Sequence, residues 1–79
     1  MQSGSVVISK SGSDKGKTYI VVGFDDKGFA LVSDGKRHTL SAPKKKNIKH
    51  LSDLGICVDL PKTDALLVTT IRRLPPSQK

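Results

Sequence analysis

Cationic side chains are the chemically active groups that cluster in this sequence. Lys36, Arg37 and His38 are followed by Lys44, Lys45, Lys46 and Lys49, and no acid stands between Gly35 and Ser52. Ahead of them, Lys10, Lys15 and Lys17 surround Gly12 and Gly16. Ammonium and guanidinium groups at this density attract polyanions, and phosphate neutralisation by Lys and Arg is the usual source of nucleic-acid affinity. The excess of lysine over arginine favours point-charge contact with a sugar-phosphate backbone over bidentate reading of base edges. Shape and backbone recognition of a folded nucleic acid is favoured over sequence reading by that balance. Solubility, an anionic membrane surface, or a solvated edge that discourages strand pairing are the blander readings of the same charges. The chain holds 14 Lys and Arg against 7 Asp and Glu, a formal net charge of +7 at pH 7, and nearly all of the excess falls before Leu51.

Other chemistries find little support. His38, His50, Cys57 and Asp59 do not make a ligand spacing, so no metal is expected. A Cys57 nucleophile lacks an orienting partner and a substrate pocket, so no catalytic residue, cofactor or small-molecule substrate is expected either. With 79 residues, 35% hydrophobic and 4% aromatic, the chain has room for one small core and no large ligand cavity. Phe24 and Phe29 are expected in that core, which leaves Tyr19 as the residue able to stack on a base. Cys57, between Ile56 and Val58, is expected to be buried. A single cysteine excludes an internal disulfide, and with no leader-like or bilayer-length apolar run the expected compartment is the cytoplasm.

These groups must be positioned by short strands. Ser11 to Lys17 reads as a tight turn between an apolar strand over residues 5–10 and a β-branched strand over 17–24. Period-two alternation groups Ile20, Val22 and Phe24 on one face, taken as the interior, and Tyr19 and Val21 on the other. A turn over 25–28 leads to a third strand at 29–33. Asp34-Gly35 predicts a hairpin with a returning strand over 36–40. Pro43 makes a break, and residues 44–50, anchored by Ile48, form the fifth strand. Leu54, Ile56, Val58 and Leu60 alternate, but Gly55 and Pro61 favour a packed loop as much as a strand. Thr63 as N-cap, Asp64 in the first turn and Pro75-Pro76 beyond predict a short helix over 64–74 with Leu67, Ile71 and Leu74 on one face, covering an open end of the barrel. The β-branched run Val68 to Ile71 leaves a strand open there, and 75–79 is expected to be a disordered tail.

Gly4, Val6-Val7, Gly12-x-x-Lys15-Gly16-Lys17 and Ile20-Val21-Val22 resemble the KOW motif, a strand, a basic glycine-containing loop and a second strand. Ser9 to Lys17 is similar to the loop of large-subunit ribosomal proteins of the KOW type and of small ribosomal-protein-like KOW proteins. The resemblance covers about residues 3–34 and implies a small SH3-like barrel; the five short strands separated by turns fit such a mainly β barrel over residues 1–51, with 52–79 expected as an extension packed on it. It further implies RNA binding, on the ribosome and its large-subunit rRNA, with KOW modules of transcription elongation factors as a related use. The contact set expected from the loop and the basic runs is Lys10, Lys15, Gly16, Lys17, Tyr19, Lys36, Arg37, His38, Lys44, Lys45, Lys46 and Lys49. The extension after Leu51 is not part of the motif, and so short a chain fits an accessory factor better than a stoichiometric ribosomal protein. The alternative is an SH3-like protein-interaction module of the transcription or translation machinery, docking a partner through Leu66, Leu67 and Ile71.

Overall fold

Short β-branched runs separated by glycine-bearing turns pair into one antiparallel sheet. The computed structural model describes residues 1–74, and the expected disordered tail at 75–79 lies outside them. In chain order the elements are β1 (Ser5–Ser9), β2 (Thr18–Phe24), β3 (Ala30–Ser33), β4 (Lys44–Lys46), a 3-10 turn (Ile48–His50), β5 (Leu51–Cys57) and α1 (Asp64–Arg72). The five strands run β4-β3-β2-β1-β5 across the sheet. Every neighbouring pair is antiparallel. The fold is therefore mainly β with one short C-terminal helix. β4 and β5 are its two edges, and the 3-10 turn carries the chain directly from one to the other. Among the described residues no helix is long and apolar enough to cross a membrane.

Both faces of the central strands are covered, which explains the nearly continuous apolar run of β2. One face carries Val7, Tyr19, Val21, Ala30, Val32 and Leu51 as a buried cluster. The other carries Val6 and Ile20 beneath Leu67 of α1, with Leu40, Ile56, Val58, Ile71 and Leu74 packed around them. The helix ends at Arg72, short of the expected 64–74; it uses Leu67 and Ile71 of its expected face, with Leu74 packing from just beyond its end, and lies over a sheet face and not over an open end. Thr63 caps it by accepting the Leu66 amide at 3.2 Å. Asp64 accepts the Leu40 amide at 2.8 Å and ties the helix start to the loop before β4.

Several expectations are corrected. Tyr19 and Val21, not Val22 and Phe24, join the principal core. The register steps from Val21↔Val32 to Gly23↔Leu31, so a bulge at Val22 interrupts the alternation, and one period cannot describe residues 20–24. Phe24, at the strand end, is 39% exposed. No strand forms over 36–40: the Asp34 carboxylate accepts the amides of Lys36 and His38, and the His38 carbonyl accepts those of Asp34 and Gly35. That closes a compact loop in place of a hairpin. The segment 44–50 is a strand only to Lys46, because the Asn47 side chain then caps the 3-10 turn, and Ile48 is 41% exposed. The fifth strand is instead Leu51–Cys57, beyond the expected barrel boundary, and it pairs with β1. Cys57 is exposed.

Candidate polyanion-binding surface

The three lysines of β4 do not act alike, because successive side chains of a strand point to opposite faces. Lys44 pairs across from Val32 and Lys46 from Ala30, so both share the face of the main core, while Lys45 lies opposite Leu31 on the other. An ammonium group on a core face needs a counter-charge, and the β1–β2 turn delivers it. Asp14 Oδ1 accepts from Lys46 Nζ at 2.9 Å and from the Ser9 hydroxyl at 2.9 Å. Its Oδ2 accepts from the Tyr19 hydroxyl at 2.8 Å and lies 3.2 Å from Lys44 Nζ. Lys46 Nζ also donates to the Ser11 carbonyl at 3.2 Å.

Burial alone would raise the Asp14 pKa, but the donors Lys46, Tyr19, Ser9 and Lys44 hold it far below the usual carboxylate range. Burial raises the Tyr19 pKa, and the carboxylate that accepts its proton raises it further. Asp14 is therefore an anion and Tyr19 a neutral phenol at all ordinary pH values. Two members of the expected contact set leave it here: Lys46 is 9% exposed and held by Asp14, and Tyr19 is fully buried, so it offers no ring to a base.

Around this pinned turn a polar depression of about 380 Å³ opens, lined by Ser13, Asp14, Lys17, Tyr19, Arg37, His38 and Lys44. Three segments far apart in sequence build it: the β1–β2 turn, the 34–38 loop and β4. The His38 ring lies 6.2 Å from that of Tyr19, tilted by 53°. Lys17 is steadied by Asp34, 3.2 Å away. Burial acts to raise the Asp34 pKa, but the Lys36 and His38 amides and Lys17 lower it below the usual range. Lys44 is 32% exposed, and among the described residues the Arg37 side chain has no protein partner. Such a set can hold a phosphate, with Arg37 as a two-pronged donor and the lysines as point charges.

The remaining expected residues surround this depression or lie apart from it. Lys36 lines a second hollow of about 290 Å³ between the 34–38 loop and α1, together with Lys17 and Arg72. Arg72 escaped the sequence reading because only the helix packing brings it there. Lys10 and Lys15 are exposed on the β1–β2 turn, and Lys49 on the 3-10 turn. The Lys10 amide donates to the His50 carbonyl at 2.8 Å and joins those two turns. Lys45 faces away, 3.7 Å from Asp25 and with its Nζ 5.0 Å from the centre of the Phe29 ring. The amides of Lys15, Gly16 and Lys17 donate to the carbonyls of Gly12, Ser9 and Asp14. The turn thus presents side chains, not these amides, to a ligand. Gly16, at φ +90°, has open space where a Cβ would stand, and its amide closes the turn onto the Ser9 carbonyl.

The chain matches no protein-family model and no curated protein.

Proposed function

We propose that this protein binds structured RNA through its phosphates, as a KOW-type module working in the cytoplasm on the ribosome and its large-subunit rRNA. The observation that carries the reading is the convergence of Lys17, Arg37 and Lys44 from three separate segments on one polar depression. Lys10, Lys15 and Lys36 add exposed charge on the same turn and loop, Lys49 stands further off on the 3-10 turn, and phosphate contacts of this kind supply affinity without sequence reading. The strand order, with a 3-10 turn leading from one sheet edge to the other, supports a small SH3-like barrel as the finer description of the fold. The alternative of a protein-docking surface has less support, because, of its expected residues, Leu67 is fully buried between α1 and the sheet, while Leu66 is 54% exposed.

The test is the double substitution Lys36→Glu, Arg37→Glu in the exposed loop, with binding to rRNA fragments measured across a salt series. Loss of two phosphate contacts makes the slope of log affinity against log salt shallower by about 1–2 and weakens binding at least about tenfold at low salt. The wild-type protein is expected to sediment with large ribosomal subunits and to leave them at high salt. Unchanged affinity and slope in the variant would sink the reading.

A further inference from the structure

Away from the cationic depression, the surface carries an apolar hollow of about 350 Å³ lined by Lys27, Gly28, Phe29, Asn47, Ile48 and Lys49. Its walls are two fixed turns. Asp25 Oδ1 accepts the amides of Lys27 and Phe29, each at 2.9 Å, and Asn47 Oδ1 accepts the Lys49 amide at 2.9 Å. The Asn47 NH2 group has no protein partner among the described residues. Phe29, expected in the core, is only half-buried, and Ile48 is 41% exposed. Lys45 Nζ sits over one face of the ring, 5.0 Å from its centre, so a ligand in the hollow meets the ring at its edge or other face. The hollow is at the low end of the roughly 300–1,000 Å³ found for small-ligand sites.

We propose that this hollow receives one unpaired nucleobase of the bound RNA, resting against Phe29 and Ile48 with its flanking phosphates on Lys27 and Lys49. The inference rests on the RNA-binding reading and deepens it. A nucleotide is the occupant these residues favour, because it joins a flat apolar face to an anion on either side. Two ammonium groups at the rim of an apolar floor match that pattern. Asn47 adds a donor for a base edge. One base, and not a run of them, is accommodated, in keeping with a surface that mainly reads phosphates.

The experiment compares two RNA hairpins of one sequence, one fully paired and one with a single bulged 2-aminopurine. With the wild-type protein, the probe's fluorescence is expected to fall on binding. Phe29→Leu, which keeps apolar volume but removes the ring face, is expected to abolish that quenching and weaken bulged-hairpin binding by about tenfold. Binding of the paired hairpin changes by less than about twofold. Ile48→Ser, at an exposed position, serves as the second variant if Phe29→Leu fails to fold by circular dichroism. If both hairpins bind with steep salt dependence while both variants match wild type, the hollow is not a base site and the phosphate reading survives alone. If neither hairpin binds, both readings fall. Occupation of the hollow by an acidic, apolar peptide, seen as amide shift changes confined to its walls with none caused by RNA, would likewise overturn it.

Discussion

Replacing Asp14 by Asn preserves shape and removes the charge on which four donors converge. Asp14 and Lys46 are 8% and 9% exposed, so water cannot take over the lost role. Removing one partner of a buried pair strands the other charge, at a cost of about 3–5 kcal/mol. Lys46 retains the Ser11 carbonyl at 3.2 Å, and Lys44, 32% exposed, can turn to solvent. The lower end, about 3 kcal/mol, is therefore expected. For a domain of this size that lowers Tm by roughly 12–24 °C, at about 4–8 °C per kcal/mol. Urea unfolding followed by circular dichroism gives the free energy, and a double-mutant cycle with Lys46→Met isolates the pair. The combined variant should be more stable than Asp14→Asn alone, since no ammonium group is then stranded. An Asp14→Asn protein within about 0.5 kcal/mol of wild type, the range of an ordinary surface change, would refute the reasoning. The folded variant gains a net positive charge, so its RNA affinity is expected not to fall, which separates a structural Asp14 from a ligand-binding one.

The pH dependence follows from the same group. Asp14 has a lower pKa folded than unfolded, so its stabilisation is present above the ordinary carboxylate value, about pH 4, and is lost as pH falls toward the native one. Acid unfolding should be steeper in wild type than in Asp14→Asn, with Asp34, lowered in the same direction, keeping some slope in both. Tyr19 has the opposite sign. Its raised pKa makes its contribution complete below about pH 10 and lost above it. It is the only tyrosine, so tyrosinate absorbance should appear only well above pH 10 or on unfolding. Gly35→Ala and Gly16→Ala should differ although both sites have positive φ. At Gly35 a Cβ would meet the Asp64 carbonyl at 2.7 Å and Val68 Cγ2 at 2.9 Å, while Gly16 has nothing within 4 Å. Urea titrations should give a loss of about 1–2 kcal/mol at Gly16 from backbone strain and about 3 kcal/mol or more at Gly35, where overpacking adds to it.

Local signals in the sequence located what local physics controls. The β1–β2 turn, the first three strands and the Thr63-capped helix follow from glycines, β-branched runs and a cap, and each forms near its expected place. What depends on partners distant in sequence was not legible. Nothing local says that Leu51–Cys57 rather than 36–40 completes the sheet, since that depends on β1 having a free edge. Asp34-Gly35 looks like a hairpin turn until the Asp34 carboxylate is seen to bind two amides of its own loop. The face assignment in β2 failed because both faces are buried, Tyr19 and Val21 in one cluster and Ile20 in the other, and the bulge between Val21 and Gly23 breaks the alternation before Phe24.

The lysine run carries the same lesson into the site. Read as charge alone, Lys44, Lys45 and Lys46 form a single binding edge. Placed on a strand of alternating faces, they have three different surroundings: the rim of the polar depression, the ring of Phe29, and the core beside Asp14. The one acid of the basic β1–β2 turn is what makes this arrangement possible, because without it a lysine could not stand opposite Ala30 on the core face. Asp14 therefore fixes the turn to β4 and brings Ser13 and Lys17 beside Lys44. The charges at hand for a ligand are then Lys17, Arg37 and Lys44 at the depression, with Lys10, Lys15, Lys36 and Lys49 exposed elsewhere on the turns and loop, scattered along the chain and joined by the fold. A polyanion following them would contact the turn, the 34–38 loop and the 3-10 turn together, and so read the shape of the sheet's edge more than any contiguous motif.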